Sequence, residues 1–407
     1  MSDARSADLR RYAIITANYW AFTLTDGALR MLVVLHFHQL GYSPLQVAML
    51  FLFYEVFGVI TNLVGGWLGA RIGLNRTMNI GLFLQVAALS MLLVPAAGLT
   101  VPWVMMAQAL SGIAKDLNKM SAKSSIKLLV PDSSQGTLYR WVAALTGSKN
   151  ALKGVGFFLG GVLLTWLGFR AAIFAMAIGL AVVLVMSLFA LRTEFGKSAA
   201  KPKFREIFSK SRAINLLSAA RMFLFGARDV WFVVALPVFL GSQLGWSFWQ
   251  VGGFLAVWII GYGIVQSLSP WITSRGRSGQ IPDGRSATLW AFVLAFIPAV
   301  MAWMLSSGVG QPSLVAVIGL LAFGVVFAIN SSLHSFLIIS YAGRDGVSLD
   351  VGFYYMANAL GRLLGTVLSG WVYQVHGMSA CLVVSAALIV VCAVISIALP
   401  RHAVVSS

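Results

Sequence analysis

Apolar residues along this chain are gathered into long runs, which are separated by short breaks rich in polar residues, glycine or proline. Most runs reach about 20 residues, a length that lets a helix cross the ~30 Å hydrocarbon core of a bilayer. The pattern predicts twelve spans, placed at residues 12–38, 45–70, 77–98, 101–129, 137–166, 169–191, 212–240, 248–272, 287–306, 313–341, 347–374 and 378–399. The expected class is therefore an all-α integral membrane protein.

Composition agrees with this class. Of the 407 residues, 59% are hydrophobic and 10% are charged, and the mean hydropathy is +0.86. A soluble domain carries about a quarter charged residues. The polar start of the chain leads directly into a full-length span, so no removable signal peptide is expected. Cys381 and Cys392 lie together in the last apolar run and are expected to be packing residues.

The sequence contains no nucleotide-binding loop and no cluster of His, Cys and carboxylate residues at metal-ligand spacing. We therefore expect no enzyme activity, no cofactor and no metal. The net charge of +17 would suggest nucleic acid in a soluble protein. In a membrane protein its meaning depends on where the cations lie, and no nucleic-acid partner is expected.

The distribution of lysine and arginine predicts the orientation. Of the 29 basic residues, we assign 20 to one side of the membrane, one (Arg170) to the other side and eight to positions near span centres. Because positive loops face the cytoplasm, both termini are expected to be cytoplasmic. A basic cytoplasmic connector at residues 193–211 would separate an N-terminal six-helix bundle, residues 1–192, from a C-terminal one, residues 212–407.

The two halves resemble each other. Residues 40–47, LGYSPLQV, are echoed by residues 244–251, LGWSFWQV, and residues 150–152 recur as residues 358–360. Parallel halves with a site near the bilayer midplane are the architecture of the major facilitator transporters. The predicted fold is thus that of the major facilitator superfamily, with 12 transmembrane helices in two pseudo-symmetric six-helix bundles.

Short motifs point in the same direction. Residues 66–76 are similar to the superfamily's loop motif between spans two and three, although Ala70 replaces the usual acid. Gln108 stands where many proton-coupled members carry an arginine. Residues 156–161 resemble the antiporter motif of span five, with Phe157 in place of its proline.

Charged residues inside the spans are the most informative feature. The cations near span centres are Arg30, Lys115, Lys119, Lys149, Lys153, Arg221, Arg228 and Arg362. The acids at similar depth, which are candidates for coupling or gating, are Asp26, Glu55, Asp116 and Asp229. Eight cations facing lipid would cost roughly 20 kcal/mol or more. They must therefore face an aqueous cavity, acids or a bound anion.

The eight cations are the candidate substrate-binding residues, together with the polar residues Asn18, Tyr354 and Asn358. Internal ion pairs remain an alternative for some of them: Asp26 with Arg30, Asp116 with Lys119, and Asp229 with Arg228 or with a residue of the first span. No acid lies near Lys149, Lys153, Arg221 or Arg362 in the sequence. Arginine forks suit phosphate or carboxylate, whereas lysine supplies a point charge.

Longer stretches resemble one family within the superfamily. Residues 18–30 (NYWAFTLTDGALR), 111–131 (SGIAKDLNKMSAKSSIKLLVP), 147–154 (GSKNALKG) and 204–237 are similar to the organoarsenical efflux permeases (ArsJ), and the likeness extends over nearly the whole chain. These runs are more specific than the superfamily motifs.

The resemblance implies a substrate that composition and spacing do not give. The family is understood to export 1-arseno-3-phosphoglycerate, which glyceraldehyde-3-phosphate dehydrogenase makes when it uses arsenate. Export from the cytoplasm gives arsenate resistance. A monomer in a bacterial inner membrane would then bind this small anion and move it by alternating access.

Two other interpretations remain open. One is an organophosphate or carboxylate carrier of the same fold. The other is a non-transporting membrane sensor, which would be expected to carry a sizeable extramembrane domain. Proton exchange through Asp26, Glu55 or Asp229 is also left open, since outward movement of an anion from a negative interior needs no coupling ion.

Overall fold

The computed structural model describes residues 2–42, 50–191, 196–199, 203–204, 211–274 and 281–401. Within those ranges the regular structure is helical throughout, with no strand. The long helical segments are α1 (Ser2–Gln39), α2 (Leu52–Ile72), α3 (Leu74–Met91), α4 (Val101–Leu129), Gln135–Ala190, α7 (Arg212–Phe232), α8 (Phe248–Ser274), α9 (Gly284–Ser306), α10 (Pro312–Tyr341) and Val347–Ile397.

Two of these segments are broken at a glycine. Gly168 has φ 74° and ψ 173°, and Gly377 has φ 77° and ψ −170°, conformations that L side chains rarely adopt. Gly168 divides the first segment into α5 (residues 135–167) and α6 (residues 169–190). Gly377 divides the second into α11 (residues 347–376) and α12 (residues 378–397). The described residues thus contain twelve long helices, which confirms the predicted all-α class.

Several predicted boundaries are wrong. The first helix begins at Ser2, so the polar residues before position 12 continue the same helix. The third ends at Met91 and not near residue 98, because Pro95 precedes a separate 3₁₀ turn, Ala96–Gly98. The basic connector at 193–211 lies largely outside the described residues.

Seven helical segments in the described ranges are long and apolar enough to cross a membrane, judged by length and composition alone. They are Leu52–Ile72, Gln135–Ala190, Arg212–Gln243, Gln250–Thr273, Gly284–Ser306, Pro312–Tyr341 and Val347–Ile397. Helix α4 does not meet the criterion, and its second half carries four lysines and an aspartate. Charge, and not length, therefore separates α4 from the apolar set.

The chain divides into two compact units. Unit 1 consists of Met1–Ser134, Ser148–Ser209 and Ala342–Met356. Unit 2 consists of Gln135–Gly147, Lys210–Tyr341 and Ala357–Ser407. The first residues of α5 therefore belong to unit 2, and the first residues of α11 belong to unit 1. The sequence-based halves, 1–192 and 212–407, stay a prediction.

Each unit has its own hydrophobic core. In unit 1, Phe22 and Leu29 of α1 pack with Leu82 of α3 and with α6. In unit 2, Trp231 of α7 makes an edge-on contact with Phe323 of α10, with ring centroids 5.0 Å apart. The Trp258 indole N–H donates to the Leu320 carbonyl at 2.8 Å. Such aromatic contacts fix the rotation of the helices that carry charged residues.

Close glycine contacts bring charged helices together inside each unit. A Cβ on Gly27 of α1 would lie 2.8 Å from the Lys153 carbonyl oxygen and 3.2 Å from the Gly156 Cα of α5. In unit 2, a Cβ on Gly365 of α11 would lie 2.6 Å from the Gly226 carbonyl oxygen of α7. Small residues that let helix backbones approach this closely are typical of membrane proteins.

Candidate functional site

A stripe of lysines on α4 forms the first cation group, which lies in unit 1. Lys115, Lys119 and Lys123 are four residues apart and share one helix face. The Lys119 ammonium lies 2.5 Å from Asp116 Oδ1, and the Lys115 ammonium lies 4.0 Å from Asp116 Oδ2. The pairing of Asp116 with Lys119 that the sequence left open is therefore present.

Tyrosine rings hold the same lysines in place. The Lys115 ammonium lies 3.8 Å from the centroid of the Tyr54 ring. The ammonium groups of Lys119 and Lys123 each lie 4.7 Å from the centroid of the Tyr355 ring, and Lys123 also donates to the Tyr355 hydroxyl. A cation over an aromatic face is stabilised by about 0.5–2 kcal/mol, more when desolvated. The rings carry no charge, so these contacts add to the ion pairs that Lys115 and Lys119 make with Asp116.

The acids of α1 and α2 are arranged differently from the i,i+4 pair that the sequence suggested. Arg30 binds Glu55 of α2 at 3.1 Å and stacks over the Tyr54 ring at 4.7 Å. Asp26 accepts a hydrogen bond from the Tyr54 hydroxyl at 2.9 Å. The Asp26 carboxylate thus binds the Tyr54 hydroxyl, whereas the Glu55 carboxylate binds the Arg30 guanidinium.

Two lysines of α5, Lys149 and Lys153, contact residues of their own helix. The Lys149 ammonium donates to the Asn150 side-chain oxygen at 3.3 Å, and Lys153 lies 5.7 Å from the Phe157 ring centroid. Both side chains are only partly buried. Asn18 donates to the Ser187 hydroxyl at 2.8 Å, so its amide joins α1 to α6 and is not placed among the cations.

A second cation group lies in unit 2, on α7 and α11. Asp229 is fully buried, and its carboxylate binds Arg228 at 2.5 Å and Arg362 at 3.1 Å. The sequence offered Arg228 as a partner for Asp229 but placed no acid beside Arg362. The structure brings these two helices together and supplies that acid.

Arg221 has a different environment. Its Nε donates to the Asn358 side-chain oxygen at 2.9 Å, and its Nη1 donates to the Ser331 carbonyl oxygen at 3.2 Å. Its guanidinium stacks over the Phe225 ring at 3.9 Å. These three contacts are all with neutral groups. Asn358 thus joins the arginine group, whereas Tyr354, which packs edge-on against Tyr355, belongs to unit 1.

Cations outnumber carboxylates in both groups. The first group contains four cations, namely Arg30 and the three lysines of the α4 stripe. It contains three carboxylates, those of Asp26, Glu55 and Asp116, so the named residues have one positive charge in excess. The second group contains three cations, Arg221, Arg228 and Arg362, and one carboxylate, that of Asp229. These named residues have two positive charges in excess.

Lys123 is the residue that sequence reasoning missed. It lies inside the predicted span 101–129, but it is not among the eight cations that the sequence places near span centres. It is 3% exposed and contacts Tyr355. The continued four-residue spacing from Lys115 and Lys119 was the signal that could have identified it.

Metal ligands are not brought together in the described ranges, where no three His, Cys, Asp or Glu side chains form a cluster. Cys381 and Cys392 are both buried in α12 as free thiols.

The described residues form twelve long helices and enclose charged side chains, an arrangement typical of polytopic membrane transporters. The sequence profile of the Major Facilitator Superfamily matches residues 14–348, and the chain belongs to that family. It is therefore a transporter and not an enzyme. No curated protein sequence matches the chain.

Solved structures of known transporters share the fold. The human organic anion transporter MFSD10 (TETRAN) is 14% identical, with a TM-score of 0.74 over 96% of this chain and 99% of the other. The Escherichia coli fucose:proton symporter FucP is 14% identical, with a TM-score of 0.73 over 96% and 98%. A bacterial homologue of the iron transporter ferroportin is 16% identical, with a TM-score of 0.73 over 95% and 98%. Likeness at this identity concerns the fold alone.

Proposed function

We propose that this transporter exports a small organic anion carrying more than one negative charge. The observation that supports the proposal is the excess of enclosed cations over carboxylates in each of the two groups. A cation at mid-bilayer costs roughly 2.5–3.5 kcal/mol on insertion scales, so a group that encloses more cations than carboxylates needs a reason to persist. Binding an anionic cargo provides that reason.

The chemistry of the two groups suits two kinds of anionic group. Lys115 and Lys119 carry compact point charges on flexible side chains, which can bind the oxygens of a tetrahedral phosphate or arsenate. Arg221 and Arg362 present planar forks that match carboxylate or phosphate oxygens in pairs. We propose that each group, within its own unit, can bind an anionic group of the cargo.

We propose 1-arseno-3-phosphoglycerate as the cargo. The likeness of residues 18–30, 111–131, 147–154 and 204–237 to organoarsenical efflux permeases suggests this compound. It carries an arsenate and a phosphate on a three-carbon chain, so it has more than one negative charge. Glyceraldehyde-3-phosphate dehydrogenase would supply it, and its removal would protect the cell from arsenate. An organophosphate or carboxylate carrier is the second candidate, because the same cations would serve it.

The driving force need not involve another ion. A negative interior favours the exit of an anion by about 2.3 kcal/mol per charge per 100 mV. We place the chain in a bacterial inner membrane as a monomer with both termini in the cytoplasm. If transport in everted vesicles stops when the proton gradient alone is removed, at constant membrane potential, this uncoupled mechanism is wrong.

Arsenate resistance tests the proposed cargo. Cells that lack their own arsenic exporters and express the chain with the dehydrogenase should grow at arsenate concentrations that stop cells expressing the dehydrogenase alone. Resistance to arsenite should not change, because arsenite is not incorporated into the ester. Lys149→Ala combined with Lys153→Ala should abolish the resistance at unchanged protein level. Full resistance in that double variant would count against a role for these two lysines.

A further inference from the structure

The lysines of α4 continue beyond the candidate site. Lys115, Lys119, Lys123 and Lys127 occupy every fourth position, and we refer to them as the lysine row. At a rise of about 1.5 Å per residue, successive members lie about 6 Å apart along one helix face. Lys123 is 3% exposed and Lys127 is 4% exposed. The row is therefore a continuous strip of enclosed positive charge inside unit 1.

One end of the lysine row is held by a carboxylate that reaches solvent. The Lys127 ammonium lies 3.1 Å from Asp132 Oδ1, and Arg344 Nη1 lies 3.4 Å from Asp132 Oδ2. The Asp132 side chain is 45% exposed and that of Arg344 is 43% exposed. We refer to these three residues as the latch. One carboxylate thus binds two cations at the point where the row meets solvent.

Helix capping explains only part of the latch. Arg344 Nη2 donates to the carbonyl oxygens of Lys127 and Val130, at 3.4 and 3.2 Å, and so satisfies acceptors at the C-terminal end of α4. Capping gives no reason for the burial of the lysine ammonium groups. A lysine near a helix end normally extends its ammonium to water, and burying a charge carries a desolvation penalty of several kcal/mol.

The partners of the lysine row differ between its ends and its middle. Asp116 binds the first two members, the Tyr355 hydroxyl accepts from Lys123, and Asp132 binds Lys127. Carboxylates therefore stand at both ends of the row, and a neutral phenol stands beside its middle. An oxyanion that displaces a carboxylate from either end keeps the local charge balance.

We propose that the lysine row is a track for phosphate-like oxyanions, and that Lys127 and Arg344 form its outer binding point, where the Asp132 carboxylate competes with the cargo. This inference rests on the proposed function, since it supplies a path for the same anion. An ammonium–oxyanion hydrogen bond is about 2.7–2.9 Å long. One oxyanion can therefore contact two ammonium groups that lie about 6 Å apart along a helix. It can pass from one member of the row to the next without losing all of its contacts.

Substitutions in the latch test the outer binding point with inorganic phosphate as the probe. Asp132→Asn removes the competitor, so the phosphate concentration that half-saturates the purified protein should fall by about fivefold, as expected for losing a half-exposed ion pair. Arg344→Gln removes a binding group, and the same concentration should rise by a similar factor. A purely structural latch predicts that both variants change phosphate binding in the same direction, or leave it unaltered. Either result would overturn the outer binding point.

Lys123 tests the track itself. Lys123→Met should lower the turnover of anion transport by about tenfold or more, since a step about 12 Å long would separate the remaining lysines. Lys123→Arg should restore most of the turnover because it keeps the charge, whereas a packing role predicts that the larger arginine is as harmful as methionine. Ser121→Ala, on the same helix, is the control for a small change at a buried site.

The outcomes separate this inference from the function on which it rests. Anion transport by the unchanged protein, together with full turnover in Lys123→Met, would overturn the track and leave the proposed function intact. Absence of anion transport by the unchanged protein would overturn both. Phosphate binding that is weakened in Arg344→Gln and strengthened in Asp132→Asn, with slow turnover in Lys123→Met, is the result we expect.

Discussion

Buried carboxylates in this chain are used in different ways, and Asp229 is the clearest case. Its carboxylate binds Arg228 and Arg362 together and is fully buried. The Glu55 carboxylate binds Arg30 with side chains that are 34% and 25% exposed. Because solvent screens the second pair, the two ion pairs are expected to differ in their contribution to stability.

Replacing Asp229 tests this difference. Asp229→Asn leaves two guanidinium groups without their shared acid, and removing one partner of a buried pair costs about 3–5 kcal/mol. Glu55→Gln is the matched control, and for this partly exposed pair the expected cost is smaller, about 1 kcal/mol. Thermal unfolding of both variants in detergent measures the difference. Equal melting temperatures for the two variants would show that Asp229 does not hold the arginines together.

At the scale of helices, the crossing of α1 and α5 positions the cations of both. Gly27 and Gly156 face each other there, and a Cβ on Gly156 would lie 2.7 Å from the Leu24 carbonyl oxygen. Neither helix can accept a side chain at this point without moving its backbone, which would also shift Lys153. The Gly226–Gly365 contact in unit 2 has the same character.

A methyl group at the crossing should therefore impair both folding and transport. Gly27→Ala places its Cβ 2.8 Å from the Lys153 carbonyl oxygen, so α1 and α5 must separate. We expect a loss of about 1–3 kcal/mol, as for other overpacked sites, and a parallel loss of transport. Gly161→Ala is the control on α5, where the nearest atom would be Leu35 Cδ1 at 3.9 Å. A Gly27→Ala protein as stable and active as the Gly161→Ala protein would contradict this reading of the crossing.

Helices were easier to predict from the sequence than the partners of the charged residues. Apolar runs indicated twelve helices, and the four-residue spacing of Lys115 and Lys119 indicated their shared face, because both patterns depend on neighbours in sequence. Arg362 and its acid Asp229 are 133 residues apart, and only the contact of α7 with α11 joins them. Arg30 forms its ion pair with Glu55 of α2, and the Tyr54 hydroxyl donates to Asp26. Neither ion pair could be predicted from the spacing of neighbouring residues in the sequence.

At the scale of the whole molecule, the two cation groups described above each contain more cations than carboxylates, although their chemistry differs. Unit 1 holds lysines on α4 beside tyrosine rings, and unit 2 holds arginines on α7 and α11 beside Asp229 and Phe225. A transporter of cationic drugs would be expected to show the opposite sign of excess charge. The proposed function therefore requires a negatively charged cargo.

Transport in proteoliposomes tests that requirement most directly. Enclosed glyceraldehyde-3-phosphate dehydrogenase, supplied with glyceraldehyde-3-phosphate, NAD and arsenate, makes the arsenate ester inside, and released arsenic is measured outside at a series of imposed potentials. If the proposed function is right, arsenic release requires both the enzyme and the transporter. Release also rises as the interior becomes more negative, because the driving force grows by about 2.3 kcal/mol per charge per 100 mV. Release no faster than from liposomes without the transporter, at every potential, would contradict it.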